Sequence, residues 1–99
     1  GGVEKVSGEA EKSAAEDKAA RQEAYQLQKK RANAPKRILK IEQEIDKIDL
    51  KAEGIDAEML AAGADVEAVM KLQEQKDGLA AKSAALYEEW EELEALMEE

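Results

Sequence analysis

The sequence predicts an all-α fold: an antiparallel two-helix coiled-coil hairpin preceded by a flexible or partly helical linker. Three observations carry this. Ile38, Ile41, Ile45, Ile48, Ala52, Ile55, Met59 and Ala62 follow one another in steps of three and four, the spacing of a helical heptad seam. A second run, Val69, Leu72, Lys76, Leu79, Ser83, Leu86, Trp90, Leu93 and Met97, keeps the same rhythm with two polar interruptions. Composition agrees, since 39% of the 99 residues are charged, 3% are aromatic, and one proline and six glycines leave little turn chemistry for strands.

Taken in order, residues 1–34 form a basic linker with only Val3, Val6, Tyr25 and Leu27 as sizeable apolar groups. A helix without an apolar face to bury is transient. Residues 1–18 are therefore expected to be disordered and 19–33 to form a fraying or partly docked helix, with Ser13 and Glu16 spaced as a capping box. Pro35 suits the first position of a helix, where its missing N–H costs nothing, and it disfavours a helical Ala34. The first hairpin helix is expected over 35–62. Gly63 supplies a left-handed position after it, and Asp65 caps the next helix, expected over 66–97, with Glu67 in its first turn. So short a turn sends the second helix back antiparallel. The hairpin domain is thus 35–99.

Folding the chain at this turn brings together residues whose numbers sum to 127 or 128. Met59 then meets Val69, Ile55 meets Leu72, Ile48 meets Leu79, Ile41 meets Leu86 and Ile38 meets Trp90. At the polar interruptions the Lys76 stem lies over Ala52 with its ammonium in water, and Ser83 leaves room for Ile45. Flanking positions agree with this register. Arg37 falls opposite Glu89, Glu44 opposite Lys82, Lys51 opposite Gln75, and Glu42 opposite Tyr87. Gly54 and Gly78 face solvent, each at a cost of about 0.5–1 kcal/mol against alanine.

Residue types bound the chemistry. With no histidine and no cysteine, Cys/His zinc sites and His-activated nucleophiles are excluded, as are disulfides. No glycine-rich phosphate loop occurs. Carboxylate pairs such as Asp46/Asp49 and Glu88/Glu92 read as a solvated acidic face rather than a metal site. The chain is expected to be non-catalytic and to hold no cofactor. No apolar run is long enough to cross a membrane, and no apolar signal segment is seen, so a cytoplasmic setting is expected.

The net charge of −9 is unevenly spread. Residues 21–40 carry +6 and residues 81–99 carry −6. Lys29, Lys30, Arg31, Lys36, Arg37 and Lys40 lie within twelve residues and form the one candidate site, suited to the phosphates of DNA or RNA. The competing reading is structural. Antiparallel folding sets this block beside Glu88, Glu89, Glu91 and Glu92, which consumes Arg37 and Lys40 first and leaves Lys29, Lys30 and Arg31 freer. Leu39, Leu50, Leu60 and Met70, on the outer face, serve equally as ordinary surface residues or as partner contacts.

The segment from Pro35 to Glu99, above all PKRILKIEQEIDKID and ALYEEWEELEALMEE, resembles the C-terminal domain of ABC-F ATPases of the Uup type. Glu88-Glu89-Trp90-Glu91-Glu92-Leu93-Glu94 matches that family's late E-x-W-E-x-L-E pattern. The resemblance implies a non-catalytic tail whose parent protein holds ATP and magnesium in two cassettes with Walker motifs, none of which is in this sequence. It also implies contact with DNA or, as in related proteins, the ribosome and its RNA, with Lys29 to Lys40 as the contact region. The alternative is a structural or protein-interaction hairpin that packs on its parent ATPase domains or associates weakly with itself. The two differ in a measurable way: only the first predicts binding that weakens steeply with salt.

Overall fold

The structure is a computed structural model that describes residues 2–99, with side chains from Glu9 onward. It contains two helices, α1 (Gly2–Ala62) and α2 (Val66–Glu98). Contacts divide the chain into two compact units, one ending at Asn33 and one comprising Ala34–Glu99.

The second unit is the helical hairpin. Ala34, Ile38, Ile41, Ile45 and Ile48 of α1 form a core cluster with Leu86 and Leu93 of α2, and Leu79 and Trp90 pack against it. Ile41 is completely buried, and Ile55 and Leu96 are also buried. The contribution of burial is roughly 1.5–3 kcal/mol per large aliphatic side chain, so this end of the seam dominates the hairpin's stability. Towards the turn, Ala52, Met59, Val69 and Leu72 are only half-buried.

The turn is built as its residues dictate. Gly63 adopts φ +56°, a conformation that a side chain disfavours. The Asp65 amide donates to the Ala62 carbonyl at 3.1 Å, closing the turn. Asp65 is the N-cap of α2, its carboxylate accepting from the Ala68 amide at 3.1 Å. Glu67 sits in the first turn, where the helix dipole favours negative charge.

The register is that of the sequence pairing. Arg37 Nε donates to Glu89 Oε2 at 2.6 Å and Nη2 donates to Oε1 at 2.9 Å, a bidentate bridge between the helices. Lys51 and Gln75 line one depression, and Glu42 and Tyr87 line another. Two polar details differ from expectation. Lys76 Nζ donates to Asp56 Oδ1 at 2.6 Å, so this ammonium pairs across the hairpin instead of ending in water. Glu44 lies 4.0 Å from Arg37 Nη1 and forms no ion pair with Lys82 among the described residues.

Three expectations about element limits are corrected. Pro35 does not start a helix; it lies inside α1. Its missing N–H and the crowding of its ring against the carbonyl four residues back cost about 3 kcal/mol. Ala34 supplies the opposing reason. It is 0% exposed in the core cluster, at the i, i+4, i+7 spacing with Ile38 and Ile41 that only a helix through position 35 provides. The exposed Pro35 is carried along on the outer side.

The end of the second seam also moves: Leu96 is buried and Met97 is 43% exposed. Leu96 follows the buried Leu93 by three residues, so the two lie on one face of α2. Finally, residues 2–18, expected to be disordered, are helical and continuous with the helix expected over 19–33, and Ser13 is helix interior rather than a cap. Their alanine, glutamate, lysine and glutamine are strong helix formers, enough to set local conformation without burial. Gly1 lies outside the described residues.

Candidate nucleic-acid interface

The six basic candidates fall in both units, three in each. In the first unit Lys29 and Lys30 are exposed, on a helix whose side chains are exposed from Glu9 to Lys30. Arg31 is half-buried and already engaged in an interaction, so it is not the free cation expected. In the second unit Lys36 and Lys40, four residues apart on one face of α1, are both exposed. Neither of these two, nor Lys29 or Lys30, belongs to an ion pair among the described residues.

Arg37 behaves as the structural reading predicts. Its guanidinium is bound to Glu89, with Glu44 as a second carboxylate neighbour. The hydrogen bond to Glu89 raises its pKa above the usual arginine value, partly opposed by burial and reinforced by the Glu89 and Glu44 charges. A raised pKa means that the arginine's share of the pair is lost only on the alkaline side, as pH climbs through that raised value, so this cation is fixed at neutral pH. With side chains 39% and 38% exposed, the pair is worth at most about 1 kcal/mol.

Lys40 departs from expectation. Antiparallel folding predicts that it is consumed along with Arg37, yet it is exposed and unpaired among the described residues. The acidic face of α2 does not neutralise the basic block wholesale: Glu88, Glu91 and Glu92 are exposed, and Glu89 is the member that reaches across. The first unit adds Lys18 and Arg21, both exposed, beside a Tyr25 that is 62% exposed. Helical spacing on residues 18–29 is the signal for them, but it counts only if that segment is read as helix.

The hairpin has other surface features. A shallow depression lined by Lys51, Gly54, Ile55, Gln75, Gly78 and Lys82 encloses about 580 Å³. Trp90 Nε1 is buried without a hydrogen-bond partner, in a residue that lines a smaller hollow with Glu42, Asp46 and Tyr87. Near the turn, Leu60, Val66 and Met70 are 86%, 68% and 67% exposed. No group of carboxylates is arranged to hold a metal among the described residues, and no described helix is long and apolar enough to cross a membrane.

Compared with known proteins, the chain matches no family model, no curated protein and no solved structure.

Proposed function

We propose that this chain is a non-catalytic, cytoplasmic domain of the kind that ends ABC-F ATPases of the Uup type, and that it contacts DNA or ribosomal RNA through its basic segment. The observation that carries the reading is the contrast within that segment. Arg37 is committed to Glu89, whereas Lys29, Lys30, Lys36 and Lys40 stand exposed with no carboxylate partner among the described residues. Stabilising the fold accounts for the first and gives no role to the other four. Exposed, uncompensated ammonium groups suit phosphate neutralisation, which releases counterions and makes binding salt-dependent. The resemblance of Pro35 to Glu99 to the ABC-F tail supports the same reading and assigns ATP hydrolysis to domains outside this sequence.

The test is fluorescence anisotropy of a labelled oligonucleotide titrated with the chain at several salt concentrations. Changing Lys29 and Lys30 together to alanine is expected to reduce the slope of log affinity against log salt by about two, one for each phosphate no longer neutralised. Binding with an unchanged slope, or no binding at low salt, refutes the proposal.

A second reading has its own observation. Leu60, Val66 and Met70, exposed near the turn, fit a hairpin that docks on a protein such as the parent ATPase domains. Under that reading Leu60→Ser weakens partner binding and leaves nucleic-acid affinity untouched.

A further inference from the structure

The helix of the first unit presents more than scattered charge. At about 100° per residue, Lys18, Gln22, Tyr25 and Lys29 fall within about 60° of one another. Arg21 and Gln26 flank this stripe, and all six are exposed. The stripe spans about 16 Å along the axis from Lys18 to Lys29. Carboxylates are sparse along it: Glu16 lies on the far side and Asp17 at one edge, Glu23 borders the same hollow as Lys18, Arg21 and Tyr25 from beside the stripe, and Glu11 falls on its line two turns before Lys18. At its centre stands Tyr25, 62% exposed although it is one of only three aromatic residues in the chain.

An exposed tyrosine between cations has no packing role to explain it. Helix formation does not need it either, since tyrosine is a weaker helix former than the alanine and glutamine around it. Cations that follow a backbone, with an aromatic face between them on which a base can stack, are the recurring elements of single-strand recognition. We infer that this stripe binds single-stranded nucleic acid, with Tyr25 stacking on one base and Lys18, Arg21 and Lys29 on the flanking phosphates. The inference rests on the nucleic-acid reading above and gives it a ligand class.

The same geometry argues against a duplex. A helix in the major groove nearly fills it, so phosphate ribbons run along both flanks of the helix. Asp17 on one flank, and Glu16 and Glu23 towards the other, would face those ribbons. A single strand needs only one basic face. The chain's net charge of −9 also repels the polyanion elsewhere, which confines contact to such a face.

The experiment compares a labelled single-stranded 20-mer with its duplex, bound to the full chain at fixed moderate salt. The wild type is expected to prefer the single strand. Tyr25→Ala, at an exposed position, is expected to weaken single-strand binding by about 10- to 100-fold, the loss of one base stack, with the salt slope unchanged. Tyr25→Trp is expected to keep the affinity and to add a tryptophan emission quenched on binding. Duplex preference, or a Tyr25→Ala variant that binds as the wild type does, overturns the inference. If Lys29→Ala with Lys30→Ala lowers affinity while Tyr25→Ala does not, the nucleic-acid reading stands and the stacking role falls. If the wild type binds neither strand form, both fall together.

Discussion

The hairpin and the helix that precedes it share much the same residue vocabulary and differ in how it is spaced. Within Ala34–Glu99 a seam position recurs every three or four residues and is mostly apolar, and nine apolar side chains are buried. From Glu9 to Asn33 the chain is equally rich in helix formers, yet every side chain except Arg31 is exposed. Both segments are helical. The contrast separates two properties that are easily merged: propensity is enough to name a helix, but only a stripe gives it something to pack against. It also separates roles. The buried seam leaves the hairpin's apolar residues with a structural task, and the unburied helix leaves its cations and its tyrosine available to solvent.

The comparison breaks most readily at the core. Ile41→Ala, at the completely buried position, is expected to destabilise the hairpin by about 2–5 kcal/mol in denaturant unfolding followed by circular dichroism. Leu27→Ala in the first unit, at a side chain 46% exposed, should change stability by much less. Equal effects would mean that the two segments are not energetically distinct.

Next in size is the proline at the junction of sequence between the units. Pro35→Ala restores a helical N–H and removes the ring from an exposed position inside α1, and should stabilise by up to about 3 kcal/mol. Amide hydrogen exchange should then slow in the turn around Arg31. No change in exchange or stability would show that Pro35 carries no strain in the native helix.

The smallest expected effect tests the surface of the hairpin. A Cβ added at Gly54 or Gly78 meets nothing within 4 Å, so Gly54→Ala and Gly78→Ala should each stabilise by about 0.5–1 kcal/mol in thermal melts. Gly63→Ala should do the reverse despite equally open space, because φ there is +56°. Stabilisation at all three positions would contradict the left-handed turn.

Much of the fold is legible because its signals are local. Ile38 to Ile55 can be read as a seam, Gly63 and Asp65 as a stop and a start, and Arg37 with Glu89 as a cross-helix pair once the turn is placed. The features that escape such reading depend on competition between local terms and packing. Pro35 looks like a boundary because the burial of Ala34 is invisible until Leu93 is brought near. Asp56 gives no sign of a partner as long as Lys76 is expected to end in water. Of the candidate site, all six residues can be named, but which cations remain available cannot. Arg31 and Lys40 exchange the parts expected of them, since a side chain's partner depends on geometry that spacing alone leaves open.

What the sequence by itself determined is the all-α class, the hairpin's turn and the register of its two helices. Heptad spacing and a left-handed glycine constrain these through the backbone's own geometry, whatever lies around them. What only the tertiary structure decided is where the helix begins relative to Pro35, whether Leu96 or Met97 closes the seam, and which basic side chains are committed. Those outcomes are small differences between a local cost, such as the proline's lost hydrogen bond, and the burial of specific side chains that become neighbours only after folding.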